Sequence, residues 1–430
     1  MREFFKRLPF AEDLIRRNPL YYRRFRRLLK DTADANLAER SALRSNLLAR
    51  TVAWAAEVPG YASNERREFA GFPVLTKETL QARAADFRAG NLRAGVSATT
   101  GGSSGQPLQL LRSPASVTAE QATLDWLAAK AGVDLARCRV AVLRGDHIKD
   151  PDDQTAPFWR RFGKRRLVLS SSHLSPVNFP AFAAELAAFR PDVMLAYPSS
   201  LELLTSLAEE HGAKLRWKLT ISSSETMRPG LRNRARAAFG CMLLDHYGMA
   251  ERVSLAYSLE DGLYWFVHPY SATELIADDA GEFRIVGTSF WNRLQPLVRY
   301  ETGDIASVPK AASADQLERI TLGLEPFRGI GGRASEVLHL ANGARVYALA
   351  QVSRGVAGAA TVQLLQQAAD LVQIIVVPNL RYSDETLPAI RRNFYQKVPS
   401  SVRIEFDVRD APYRLANGKA PVFVSLLDRA

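Results

Sequence analysis

Apolar positions recur along this chain with two different spacings, and the spacing changes at identifiable places. Over the first 60 residues Leu14, Ile15, Leu20, Tyr21, Tyr22, Phe25, Leu28 and Leu29 alternate with Arg16, Arg17, Arg23, Arg24, Arg26 and Arg27. That spacing predicts amphipathic helices with a basic face. The basic face suits a membrane surface or a nucleic acid, or it is the solvated side of a helix packed on the body of the protein. From about Ala136 short apolar runs alternate with helical patterns. Strands are predicted at 139–143, 166–169, 193–196, 218–222 and 241–244, and helices at 182–189, 199–210 and 231–239. Such alternation implies βαβ units and a largely parallel sheet covered by helices, with ligands outside the carboxyl ends of the strands.

After Asp261 the texture becomes strand and turn, with strands predicted at 264–267, 273–276, 282–286 and 298–300. A break is expected near Gly329-Ile330-Gly331-Gly332. Beyond it, strands and two helices (about 349–358 and 384–397) read as a smaller α+β unit, ending in a strand over 422–426. At 430 residues the chain is long for one core, so more than one domain is expected. The division is drawn as a large domain over 1–331, with a helical entry segment over 1–95, and a small C-terminal domain over 332–430.

Composition narrows the picture. Hydrophobic residues at 47% with 24% charged fit a globular chain rather than a disordered one. A net charge of +12 favours anionic partners without choosing among them. Cys138 and Cys241 have no CxxC spacing, which argues against a disulfide scaffold and a cysteine zinc site and fits a reducing compartment. No signal peptide is expected, because the basic start runs into no apolar stretch with a small-residue cleavage site. No run of about 18 uncharged apolar residues suggests a membrane span. The expected location is the cytoplasm.

The chemistry is concentrated in a few short stretches. Thr99-Thr100-Gly101-Gly102-Ser103-Ser104-Gly105 joins glycines, which let backbone approach an anion, to hydroxyl donors. It is not a Walker A loop, since no Gly-Lys-Ser/Thr follows; alone it also reads as a flexible linker. Downstream, Asp245-His246-Tyr247-Gly248-Met249-Ala250-Glu251 supplies a ring, a glycine and a carboxylate just after a predicted strand. Arg299-Tyr300-Glu301-Thr302-Gly303-Asp304 places a carboxylate on a turn, Gly332-Arg333 falls at the break, and Asn417-Gly418-Lys419 puts a lysine on a tight turn. Singly, each has a plainer reading as a turn former, a packed aromatic or a solvated lysine.

In this order the motifs resemble those of the adenylate-forming superfamily (acyl-CoA synthetases, adenylation domains and luciferases), and in particular the phenylacetate–CoA ligase family with its CapK-like members. Val58-Pro59-Gly60-Tyr61, Pro73-Val74-Leu75-Thr76-Lys77, Arg144-Gly145-Asp146, Ala196-Tyr197-Pro198-Ser199 and Ser223-Ser224-Glu225 add to the likeness, which runs from about residue 40 onward. It implies ATP-dependent activation of a carboxylic acid, aryl or arylacetic, to an acyl-adenylate, then transfer to a thiol, with CoA the default acceptor and a carrier protein or an amine the alternatives. It implies that Thr99 to Gly105 grip the β- and γ-phosphates and that Tyr247 and Gly248 flank adenine. Glu251 would hold Mg²⁺, Asp304 the ribose hydroxyls with Arg333 beside it, and Lys419 the substrate carboxylate and α-phosphate. Glu225 would sit near the nucleotide, and Tyr197, Ser223, His246, Met249 and Ala250 around the acid.

Three positions depart from the family pattern. Gln106 stands where the glycine-rich loop usually carries a lysine, Ala334-Ser335-Glu336 follows Gly332-Arg333 in place of two acids, and Ala341-Asn342-Gly343-Ala344-Arg345 lacks an Arg-Gly pair. They leave the adenylation half better supported than the thiolation half, and Gln106 with the altered hinge motivates a rival reading as a non-catalytic nucleotide-binding relative. His246 could bond a polar substrate or simply pack; His147, His173, His211, His268 and His339 show no metal-ligand spacing. No nucleic-acid module is recognisable, so no nucleic acid is expected as a partner. A homodimer stays open.

Overall fold

A computed structural model describes residues 15–62, 68–89, 95–99, 108–144, 146, 148–149, 153, 155–260, 262–279, 281–331, 338–341, 345–346, 349–353, 356–396, 398–415 and 420–427. The chain forms two compact units, and each is assembled from two separated stretches: 1–136 with 246–330, and 137–245 with 331–430.

In the first stretch α1 (Pro19–Ala33) and α2 (Leu37–Ala55) carry the predicted Arg-rich helices, with α3 (Lys77–Ala82) following. Asn18 caps α1 ahead of Pro19, and Asn36 and Glu39 close a capping box on α2, so the sequence itself fixes where both helices start. Phe25 and Leu29 of α1 are buried in a cluster with Ala119 and Ala122, which identifies α1 as a helix packed on the body of its unit. Strands β1 (Val96–Thr99) and β2 (Gln109–Arg112) pair antiparallel, Thr99 opposite Gln109. The glycine/hydroxyl stretch therefore lies in sequence between two paired strands, and Thr99, expected within it, belongs to the first of them. Helix α4 (Pro114–Lys130) completes the stretch behind a Ser113 cap.

The second unit begins with β3 (Val140–Leu143), β4 (Trp159–Phe162), β5 (Arg166–Leu169), α5 (Phe179–Phe189), β6 (Val193–Ala196), α6 (Pro198–Glu210), β7 (Leu219–Ser223) and α7 (Leu231–Phe239). Strands β7, β6, β3 and β5 are parallel neighbours in that order, and β4 pairs antiparallel at the edge. This is the expected βαβ rhythm, with β6 and α7 at their predicted bounds and α5 beginning three residues early behind Asn178. The chain changes unit inside β8 (Met242–Gly248). That strand is longer than predicted, so Tyr247 and Gly248 lie within it rather than after it.

Back in the first unit come β9 (Leu255–Glu260), β10 (Leu263–Phe266), β11 (Ser271–Ala277), β12 (Phe283–Ser289), β13 (Tyr300–Ala306), α8 (Ala314–Thr321) and β14 (Ile330–Gly331). The strand expected over 298–300 starts only at Tyr300, and the segment expected to be a turn, Tyr300 to Asp304, is strand. The second unit then resumes with β15 (Leu338–His339), β16 (Arg345–Val346), β17 (Ala359–Ala368), β18 (Leu371–Pro378), α9 (Thr386–Tyr395), β19 (Arg403–Val408) and β20 (Phe423–Ser425). Where a helix is predicted over 349–358, the structure has a 3-10 turn at Leu349–Ser353; glycines at 355 and 358 disfavour a longer helix.

The halves of the second unit are bound together. Ala360 and Val377 enter the core built from Leu143, Leu167, Met194 and Phe239. Arg228 pairs with Glu202 at 2.9 Å and donates to the Val362 carbonyl at 2.7 Å. No helix among the described residues is long and apolar enough to cross a membrane.

Candidate active site

In the second unit the carboxyl ends of the parallel strands share one edge, where ligands of such sheets bind. Arg144 follows β3, Ser170 follows β5, Tyr197 follows β6, and Ser223 ends β7 with Ser224 and Glu225 after it. Tyr197 is also the N-cap residue of α6, so its position is set from both sides. Ser224 has φ +74°, a left-handed conformation unusual for a residue with a side chain and of the kind that surrounding structure holds at functional sites. The Ser223 and Ser224 hydroxyls are 3.4 Å apart. Beyond this bend Glu225 accepts two backbone N–H groups, from Ser199 at the start of α6 (2.9 Å) and from Ala420 (3.0 Å). The second of these residues directly follows Lys419, so one carboxylate fixes both a helix start and the chain beside the predicted catalytic lysine.

Two further groups near this edge were not singled out from sequence. Arg414 donates to the Ser171 carbonyl at 3.1 Å. Burial pushes its guanidinium below the usual arginine range, and the charge of Glu225 opposes that. Ser170 Oγ lies 2.7 Å from Nδ1 of His173, whose ring stacks on Phe158 at 5.2 Å. These partners are separated by long stretches of chain or, for Ser170 and His173, by an unremarkable Ser-Ser-Ser-His run, and neither leaves a local signal.

In the first unit Tyr247, near the end of β8, donates its hydroxyl proton to Asp304 Oδ2 at 2.8 Å. Asp304 reaches that position through a bulge. Arg284 faces Ile305 and Val286 faces Glu301, with a register shift between them; Gly303 turns at φ +75°; and the Asp304 N–H donates to Thr302 Oγ1 at 3.1 Å. A bulge of this kind re-aims a side chain out of the strand's alternation. Glu251 accepts from the Tyr300 hydroxyl at 3.1 Å, so β13 supports both predicted carboxylates.

The turn that carries Met249, Ala250 and Glu251 is clamped. Arg112 donates twice to the Ala250 carbonyl, at 2.9 and 2.6 Å. Arg252, at φ +57°, donates to the Ser116 carbonyl at 2.7 Å and pairs with Glu120. Burial pushes the Glu120 carboxyl up, but the charges of Arg252, His246, Arg112 and Arg16 outweigh it and hold it below the ordinary carboxylate range. Met249 and Ala250, expected around the acid, pack against the cluster of Val253, Leu297, Val298 and Tyr300. His246 is buried, and its ring occupies the space a side chain at 248 would need: a Cβ there would stand 2.9 Å from Cε1 and Nε2. Glycine at 248 is thus required locally by His246.

Residues 100–105, Arg333 and Lys419 lie outside the described residues, as do the side chain of Thr99, Gln106 and the Ser335–Glu336 hinge. Among the described residues no three His, Cys, Asp or Glu side chains form a metal-binding group. One carboxylate is nevertheless what a Mg²⁺ ion needs when phosphate oxygens and water complete its octahedron, and Glu251 fits that demand.

No family model matches the chain. A search of curated proteins finds CapK of Staphylococcus aureus, 21% identical over 236 residues, which is 54% of this chain and 52% of that protein. The chain thus spans about half the length of the curated relative it matches. Two solved structures of a 2-hydroxyisobutyryl-CoA ligase in the postadenylation state, one with R3-HIB-AMP and one with 2-HIB-AMP, align with 92% of this chain and 91% of theirs. Identity is 15%, with TM-scores of 0.60 and 0.61. The chain has the mixed α/β fold of that ligase.

Proposed function

We propose that this chain activates a carboxylic acid with ATP, releases pyrophosphate, and passes the acyl group from the adenylate to a thiol, CoA in the first instance. The observation that carries this reading is the joint placement of Tyr247, Glu251, Tyr300 and Asp304 on β8, β13 and one clamped turn, within the fold of a ligase solved with acyl-adenylates. Asp304 takes the ribose hydroxyls while Tyr247 steadies it, and Glu251 holds Mg²⁺. Thr99 to Gly105 cradle the outer phosphates through backbone and hydroxyl donors, with Gln106 in place of a cation. Gly248 flanks adenine, Arg333 stands by the ribose, and Glu225 orders the chain at Ala420. Lys419, from the C-terminal stretch that the sequence pattern sets apart as a lid (332–430) and that shares its core with residues 137–245, neutralises the developing charge between carboxylate and α-phosphate. The acid is aryl or arylacetic.

Acid-dependent ATP–pyrophosphate exchange over aryl, arylacetic and short hydroxy acids tests the reading. Exchange is expected with at least one class, and Lys419→Ala is expected to lower it on the order of 10²-fold or more. Absence of exchange with every acid would leave a nucleotide-binding relative as the reading. Mass spectrometry of products formed with CoA, a carrier protein or an amine then names the acceptor.

A further inference from the structure

The edge of the second unit's sheet carries a feature that acid activation does not use. The β4–β5 hairpin reads Arg160-Arg161-Phe162-Gly163-Lys164-Arg165-Arg166, five cations and no acid in seven residues. All seven are exposed, and Phe162 is 45% accessible. Arg161 folds back on α5, donating to Glu185 at 2.6 and 3.0 Å. Gly163, at φ +60°, makes the reversal tight, so the hairpin ends in a narrow point with the ring beside it. Phe162 pairs with Arg166, the first residue of β5. The point therefore lies at the amino ends of the parallel strands, opposite the edge that carries Tyr197 and Ser223.

Charge on an outermost strand is an ordinary guard against pairing with another chain. A guard gains nothing from an exposed aromatic ring, which itself invites association. We propose that this hairpin docks on a bilayer surface rich in anionic phospholipid, with the Phe162 ring entering the interface and the surrounding cations meeting headgroup phosphates. A single ring at a convex point suits a planar surface. A single-stranded nucleic acid is instead held in a groove, with rings for successive bases. Docked this way, the carboxyl edge of the sheet would face away from the membrane.

The test is cosedimentation with vesicles of equal parts phosphatidylglycerol and phosphatidylcholine, beside pure phosphatidylcholine vesicles and a single-stranded oligonucleotide. The full chain is expected to bind the anionic vesicles, less so as salt rises, and not the neutral ones. Lys164→Glu with Arg165→Glu is expected to weaken that binding roughly tenfold or more, and Phe162→Ser to abolish the part that survives high salt. Because the chain is basic throughout, Arg23→Glu with Arg27→Glu, on the exposed face of α1, is the matched control and is expected to retain binding. Unchanged melting temperatures keep all variants interpretable, since each substituted side chain is exposed. No binding to anionic vesicles, an unaffected hairpin variant, an equal loss in the α1 variant, or tighter binding to the oligonucleotide would each overturn the proposal.

Discussion

Gly248 and His246 occupy the same face of β8, two residues apart, and the ring of one fills the room of the other's absent side chain. Gly248→Ala is therefore expected to displace the imidazole and to lower pyrophosphate exchange while the fold survives. In a His246→Ala background the same change should cost little. Equal losses in both backgrounds, read by exchange rates, would show that the glycine serves something other than the ring. A second residue-scale expectation concerns His268, which is 2% exposed. Burial, with the charges of Arg40 and Arg44, brings its pKa down to about 3 from 6.5. The unfolded chain thus takes up a proton that the folded chain refuses. The stability held above pH 6.5 is lost progressively as pH falls toward 3, at a limiting slope of about 1.4 kcal/mol per pH unit. Urea titrations across that interval should show a flatter profile for His268→Gln.

Among elements, the bulge in β13 is where sequence and structure part most clearly. Thr-Gly-Asp reads as a turn, and its backbone does turn at Gly303, but the flanking residues continue the strand against β12. Nothing stands within 4 Å of a Cβ built on Gly303, so the strain of Gly303→Ala is purely that of the backbone. It is expected to cost roughly 1–2 kcal/mol and lower the melting temperature by a few degrees. Gly303→Asn should cost less, because asparagine tolerates the left-handed region. Equal melting shifts would point to lost packing instead. The βαβ elements were legible because apolar runs such as Val193–Ala196 and the Gly240 stop after α7 are local signals. Edge strand β4 was not, since Trp-Arg-Arg-Phe has neither an apolar run nor an apolar face. The candidate carboxylates were readable only through the likeness of the motif order to that of the adenylate-forming superfamily. Their actual partners, Tyr247 for Asp304 and Tyr300 for Glu251, depend on chain segments brought together by folding, and no local pattern records that.

For the molecule as a whole, the separated composition of the second unit makes a direct statement about truncation. A fragment ending at residue 330 loses Ala360 and Val377 from the core of residues 141–243. It also loses the partners of Arg228, Glu225 and Ser171. It is expected to bind a hydrophobic dye and to unfold without a sharp transition in its 137–245 portion. A fragment with a native near-ultraviolet spectrum would instead show residues 331–430 to be an autonomous domain.

The same interleaving has a consequence in time. As the chain leaves the ribosome, residues 137–245 are complete long before their companions from 331 onward exist, and residues 1–136 likewise wait for 246–330. Neither unit can close in the order in which it is made. The face of α6 that meets β17 must stay uncovered while roughly a hundred more residues are synthesised, at about 5–20 per second. The nascent chain therefore has a window of several seconds in which it most needs protection, and it ends only when β17 arrives.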